Sequence, residues 1–315
     1  MTEQIKEALN ALIEEEDTEL FENLIREQDI NEPAFAKAAL EHGMFHPAAL
    51  YKDAADQIRD QLIVLLEKEE DDTLNINGIL LALAAIGDET VKNTFQKWEQ
   101  NPPSWRKNLY VGPADYAMEG GWCIEDGRKK KLIYDSCYAI QKQENCKQEE
   151  NMYGGPGADR CPHCGSRYVD ILVVDGKNPK LAFLGIEGKI KIKTCESCIP
   201  WGGFIFCKYE EDGESKVICQ DSGDGDLIED EDLDNESCFV LSEEPVSQHY
   251  CSEWEGSAVG GVPKYVDDAD YAVCPECGKR MKHLAQLGGE YTGYGNIYVQ
   301  ICTECKIAAT LYQQS

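Results

Sequence analysis

The stretch Cys161-Pro162-His163-Cys164-Gly165 has a near copy further along the chain, Cys274-Pro275-Glu276-Cys277-Gly278. Two thiols separated by two residues can reach one metal ion from a tight turn. The glycine that follows permits the backbone angles such a turn requires. A tetrahedral site needs four donors, so each pattern calls for a second pair. Cys195-Glu196-Ser197-Cys198 follows the first pattern after 30 intervening residues, and Cys302-Thr303-Glu304-Cys305 follows the second after 24. Those lengths suit the strands of a zinc ribbon. One Cys-x-x-Cys reads as a redox dithiol, whereas matched pairs of pairs read as metal sites. The expected ligands are Cys161, Cys164, Cys195 and Cys198 at one site and Cys274, Cys277, Cys302 and Cys305 at the other, with two Zn²⁺ per chain. Four thiolates leave no open coordination position, so both ions are expected to hold structure and not to activate water. His163 has no place in a filled tetrahedron and is expected to face solvent or to contact a ligand from outside.

Working outward, short strands are expected at 168–174, 181–186, 188–194, 203–209, 238–241 and 296–301. Between them, residues 221–236 hold nine acids and no base, and the wider stretch 211–236 reads as an exposed, mobile loop. Asp221, Asp224 and Asp226 miss the spacing of a calcium loop. The alternation Gly188-Lys-Ile-Lys-Ile-Lys193 puts Lys189, Lys191 and Lys193 on one face of a strand. Such a face can meet phosphate, and it can equally be a solvated face opposite Ile190 and Ile192.

The first hundred residues are helical in pairs. Ile5, Leu9, Leu12 and Ile13 keep a helical spacing, and Asp17-Thr18 offers an N-cap for residues 19–28. Ile76, Leu80, Leu83 and Ala84 repeat the spacing, and Gly87-Asp88 breaks and recaps the chain before residues 89–100. The two stretches match at an offset of 71, pairing Ile5 with Ile76, Leu9 with Leu80, Leu12 with Leu83, Asp17 with Asp88 and Leu20 with Val91. A helix near 32–42, a break at Gly43 to Pro47 and an apolar-periodic stretch at 48–70 lie between them. The pattern resembles a short array of HEAT-like repeats, with an ordinary helical bundle as the alternative. Asn101-Pro102-Pro103 ends the helices, and a hairpin is expected from Tyr116–Ile124 through Asp126-Gly127 to Lys129–Ile140. Tyr153-Gly154-Gly155-Pro156-Gly157 reads as a hinge, since no Gly-Lys-Ser/Thr follows to make it a phosphate loop. The resulting plan is a helical-repeat domain (1–100), a hairpin connector and linker (101–157), a first zinc ribbon (158–210), an acidic loop (211–237) and a second zinc-ribbon domain (238–315).

The net charge of −29 is uneven. Residues 1–100 carry 23 acids against 8 bases, and residues 211–245 carry 14 against Lys216 alone. Such a molecule repels nucleic acid and anionic lipid and attracts basic partners, and the alternative is that the charge serves solubility alone. No apolar run approaches the roughly 18 residues of a membrane span. The acidic start Met1-Thr2-Glu3-Gln4-Ile5-Lys6-Glu7 is not a signal peptide, so a cytoplasmic location with reduced cysteines is expected. The remaining cysteines, at 123, 137, 146, 207, 219, 238 and 251, form no close pair in sequence and read as small buried apolar residues. No His-Glu-x-x-His, Gly-x-Ser-x-Gly, Walker loop or dinucleotide fingerprint occurs, so no catalytic residue is expected.

The last sixty residues carry an ordered series: Gly260-Gly261-Val262-Pro263-Lys264-Tyr265, Cys274-Pro-Glu-Cys277, Met281 to Leu287, then Asn296-Ile-Tyr-Val-Gln-Ile-Cys302 and Cys305. The series resembles the C-terminal domain of programmed cell death protein 2 and a group of bacterial relatives. Tyr265 and Gln300 stand where that family has Trp and Phe. The resemblance implies a non-enzymatic escort that holds a basic protein, and its bacterial branch implies a binding module. The reading is thus an α+β protein: a HEAT-like helical array, then a β-rich half with two four-cysteine zinc ribbons. The expected partner is a basic protein client. Immunity against a basic toxin and nucleic-acid binding through the lysine strand are the alternatives.

Overall fold

Short polar side chains start most helices of the N-terminal part, and left-handed residues end several of them. In the computed structural model, which describes residues 2–68, 72–220, 225–233, 236–253 and 255–314, the chain divides into two units, Met1–Leu132 and Ile133–Ser315. Helix α1 (Glu3–Glu15) begins where the Thr2 side chain accepts from the Ile5 amide and stops at Glu16 in the left-handed region. Helices α2 (Glu19–Gln28) and α3 (Pro33–Glu41) follow. The periodic stretch 48–70 is not one helix. It splits into a 3-10 turn at Ala48–Tyr51 and helix α4 (Asp56–Lys68). Helix α5 (Thr73–Ile86) ends at Gly87, and α6 (Glu89–Gln100) is capped by Asp88, whose carboxylate accepts from the Val91 amide at 2.8 Å. Asp88 also holds the guanidinium of the buried Arg59, which Asp56 and Asp60 engage as well. At the offset of 71, Ile5 and Ile76, and Leu12 and Leu83, are all buried, but Leu20 is 38% exposed where Val91 is buried. Leu9 is half-buried where Leu80 is buried, so the correspondence is partial in the first helix of each pair and lapses at Leu20 in the second.

The hairpin is shorter than expected. Strands β1 (Trp122–Glu125) and β2 (Arg128–Lys131) flank Asp126 and Gly127, both at positive φ, as a tight hairpin turn needs. Tyr116 lies in a separate 3-10 turn, Asp115–Met118. The second strand stops because Leu132 and Ile133 are adjacent and both buried, which breaks the alternation of a one-faced strand. Trp122 donates its indole N–H to the Ala84 carbonyl at 2.9 Å, packing the hairpin against the end of α5 and beside Phe95.

The second unit is built on antiparallel sheets. It runs β3 (Tyr134–Gln143), β4 (Gly155–Arg160), β5 (Arg167–Asp175), β6 (Lys189–Thr194), β7 (Ile205–Tyr209), β8 (Ser215–Gln220), β9 (Cys238–Leu241), β10 (Ala258–Gly261), β11 (Lys282–Leu287), the short helix α7 (Gly289–Thr292), β12 (Asn296–Cys302) and β13 (Ile307–Gln313). Eight strands pair in the order β8-β7-β13-β12-β11-β10-β3-β9, and β4-β5-β6 form a smaller sheet. Ile171, Leu172, Val174, Ile190 and Ile192 of the smaller sheet share one core with Leu284, Val299, Ile301 and Ala308 of the larger. A buried hydrogen bond at 2.9 Å joins Thr194 to Thr310.

Four further expectations need correction. Residues 181–186 are not a strand. Asn178 caps a 3-10 helix at Pro179–Leu184, and Gly185 ends it, so the apolar run alone could not tell a buried helix from a strand. Tyr153–Gly157 is not a hinge. Gly154 donates to the Asp170 carbonyl, and a Cβ on it would lie 2.6 Å from the Asp170 Cβ, so its missing side chain serves close packing. The acidic stretch 211–236 contains strand β8, whose residues Ser215–Gln220 include no acid; its average composition hid it. Finally, Cys146 and Cys238 do pair: they are joined as a disulfide across 92 residues of sequence.

Candidate metal centres

Each Cys-x-x-Cys-Gly turn is closed by the same pair of backbone bonds. The Cys161 amide donates to the Ser166 carbonyl at 2.8 Å and the Gly165 amide to the Cys161 carbonyl at 2.9 Å. In the second turn, Cys274 donates to Lys279 at 2.9 Å and Gly278 to Cys274 at 2.9 Å. Gly165 and Gly278 stand at φ +82° and +70°, the conformation that favours glycine. The first turn is the hairpin between β4 and β5, with Arg160 opposite Arg167. Its partner pair, Cys195 and Cys198, begins where β6 ends. In the second centre Cys274 and Cys277 precede β11, and Cys302 and Cys305 lie at the turn from β12 to β13.

These folds bring all eight expected ligands into two groups, Cys161, Cys164, Cys195 and Cys198, and Cys274, Cys277, Cys302 and Cys305. Within each group the sulfurs lie within 4.8 Å of one another. Cys161 and Cys198 are 3.7 Å apart, Cys164 and Cys195 3.5 Å, and Cys277 and Cys302 3.8 Å. A tetrahedron with metal–sulfur bonds of about 2.3 Å has edges of about 3.8 Å. Both groups could therefore hold a metal ion.

Burial works to raise the Cys161 thiol, but the amides of Cys164, His163 and Gln220 outweigh it and bring it down to about 6. Burial pushes Cys198 and Cys302 up to about 11, while the Lys279 amide lowers Cys277. Each group thus holds thiols shifted in opposite directions, Cys161 down and Cys198 up in the first, Cys277 down and Cys302 up in the second.

Around the first centre stand residues that the spacing of cysteines did not announce. Gln220, at the end of β8, donates its side-chain amide to the Cys161 sulfur at 3.4 Å and accepts from the Tyr168 hydroxyl at 3.2 Å. Ser166 contacts the Cys164 sulfur at 3.2 Å and accepts from the Ile228 amide at 2.8 Å. Arg160 grips both carboxylate oxygens of Asp230, at 2.8 and 3.1 Å. Ser197 donates to the Asp226 carbonyl, and Leu233 is buried in the core. Residues 225–233 of the acidic stretch are therefore fastened over the first centre and are not a free loop. Asp221 and Asp224 lie outside the described residues. His163 is exposed. The second centre rests on Ala272, Met281, Ile307 and Ala309, with Phe204 and Phe206 packed alongside. Lys279 reaches Glu304 at 2.8 Å, bridging its two ligand pairs.

The lysine strand is largely engaged. Lys193 is 8% exposed and bonds Asp170 at 2.8 Å, and Lys191 reaches the other oxygen of the same buried carboxylate at 3.1 Å. Among the described residues no helix is long and apolar enough to cross a membrane.

No family model matches this chain, and no solved structure matches it. The uncharacterized protein YpfL of Salmonella typhimurium (strain LT2) is similar: 32% identical over 278 residues, which is 83% of this chain and 64% of that protein. The chain thus spans a little under two thirds of the length of the curated relative it matches.

Proposed function

We propose that this protein is a non-enzymatic, zinc-containing binding module that holds or escorts a basic protein client in the cytoplasm. The observation that carries the reading is the way the acidic segment is mounted. Ile228 and Leu233 face inward while Asp226, Glu229, Glu231 and Asp232 stay exposed. Apolar residues anchor the segment and leave its charge to solvent, which suits a surface that meets positive charge. Zinc is assigned to both centres because four thiolates at tetrahedral spacing suit it, and such closed shells hold structure. The helical half is read as a HEAT-like array, whose extended surface would add further negative charge. The C-terminal sixty residues are read as akin to programmed cell death protein 2.

The pairing of Lys191 and Lys193 with Asp170 favours this reading over nucleic-acid binding, since a paired lysine offers little to phosphate. Capture from the native host should recover a basic protein whose association slows as salt rises. Glu229→Gln, Glu231→Gln and Asp232→Asn together should slow it further, with Asp230 left in place to keep Arg160. Metal analysis of the same protein should give two zinc ions. Recovery of acidic or neutral partners alone, with no salt dependence, would show that the charge serves solubility.

A further inference from the structure

Outside the metal centres, one pair of cysteines is built to react. Cys146 lies in the connection from β3 to β4, and Cys238 opens β9, with Cα atoms 5.9 Å apart. Asn151 holds the two segments together. Its side chain donates to the Ser237 carbonyl at 3.1 Å and accepts from the Phe239 amide at 3.0 Å, so it grips the backbone on both sides of Cys238. The Met152 amide adds a bond to the Phe239 carbonyl at 2.7 Å. None of these bonds uses sulfur, so the two side chains stay adjacent whether or not they are joined.

The pair is also reachable. Both sulfur-bearing residues line a cleft of about 390 Å³ with Asn145, Gln148, Lys189 and Lys191, and Glu144 and Glu236 stand beside them. Cys146 is half-buried and Cys238 is 5% exposed. Among the other cysteines that are not metal candidates, Cys123, Cys137, Cys207 and Cys251 are buried and the exposed Cys219 forms no disulfide. The cleft's mixed charges suit a small zwitterionic peptide thiol or its disulfide.

We infer that Cys146 and Cys238 are a reversible redox pair, addressed through this cleft by a low-molecular-weight thiol and its disulfide. The Cys146 thiolate attacks one sulfur of the small disulfide and expels a thiolate, leaving a mixed disulfide. Cys238 loses its proton to solvent and attacks the Cys146 sulfur, expelling the second small thiolate. The two cysteines give up two electrons and two protons, and the small disulfide takes them up as two thiols. The bond closes a ring that contains Cys161, Cys164, Cys195 and Cys198 and none of the second centre's ligands. Oxidation therefore fastens the chain around the first centre alone.

The test equilibrates the full metal-loaded chain in buffers of reduced and oxidised glutathione. Thiols are then trapped by alkylation, and peptides are mapped by mass spectrometry. The expected result is one disulfide, between Cys146 and Cys238, that forms and disappears with the buffer ratio while metal content stays constant. In Cys238→Ser the disulfide is lost and Cys146 accumulates a glutathione adduct. In Cys146→Ser the disulfide is lost and the buried Cys238 gains little adduct. Free Cys146 and Cys238 at every ratio, or oxidation that falls first on the metal ligands with loss of metal, would overturn the inference. Neither outcome depends on the variants folding, because the wild-type chain alone decides it.

Discussion

Gln220 touches Cys161 across 59 residues of sequence, donating its side-chain amide to the sulfur at 3.4 Å. A thiolate bound to a metal keeps excess negative charge, and a donor aimed at it stabilises that charge. Gln220→Leu removes the donor at similar size. We expect metal affinity at the first centre to fall about tenfold or more, with the second centre unchanged. Competition against a chromogenic chelator, read as two separate release phases, measures it. Equal release from both centres in the variant and the parent would exclude the role.

Removing metal should free the acidic segment. Ser166 links the Cys164 sulfur to the Ile228 amide, so a collapsed first centre loses one of the fastenings of residues 225–233. Thiol modification followed by chelation should speed amide exchange in 225–233 and in the turn 161–166. The helices of the first unit contain none of the ligands and should keep their protection. Limited proteolysis of the same sample should spare a fragment ending near Leu132, where the two units divide.

Asp170 is the sole acidic partner of two lysines among the described ion pairs, and one of them, Lys193, is buried. Asp170→Asn would leave that ammonium without its counter-charge. The expected loss is about 3–5 kcal/mol in urea unfolding of the metal-loaded chain. Replacing both residues by apolar ones, Asp170→Leu with Lys193→Met, should recover much of the loss. If the double variant is as unstable as the single one, the deficit lies in packing and not in charge.

His283 gives the fold a pH dependence. It is fully buried, neither ring nitrogen has a hydrogen-bond partner among the described residues, and burial lowers its pKa to about 3. In the unfolded chain the ring protonates near pH 6.5. Between those values the unfolded state binds the proton and the folded state does not, so stability falls as pH drops from about 6.5 towards 3. One such group contributes a slope of about 1.4 kcal/mol per pH unit. His283→Leu should flatten the profile over that window, as thermal melts at pH 7 and pH 5 would show.

The metal groups were legible because their chemistry is local. Two cysteines and a glycine define a turn by themselves, and four such turns can pair in few ways. The strands between them were legible where apolar residues alternated with lysine, as at Lys189–Lys193. Strands β10 and β13 were not. Ala258–Gly261 and Ala308–Ala309 are buried on both sides, so they lack alternation and carry small side chains with weak strand preference. Gln220 and Ser166 carried no signal either, because their role depends on a contact made only after β8 and the acidic segment have docked. The pairing of Cys146 with Cys238 was hidden for the same reason, since it is Asn151 that brings the two segments together.

The second centre takes two of its ligands from the turn between β12 and β13, where Cys302 stands opposite Ile307. Side chains alternate along a strand, so a slip of one residue would turn Cys302 to the other face of the sheet. Its sulfur would leave Cys277, and no fourth donor would remain for the ion. Metal capture is thus possible in one alignment of these two strands and in no neighbouring one. An ion held there would act as a gauge of strand register in the interior of the eight-stranded sheet.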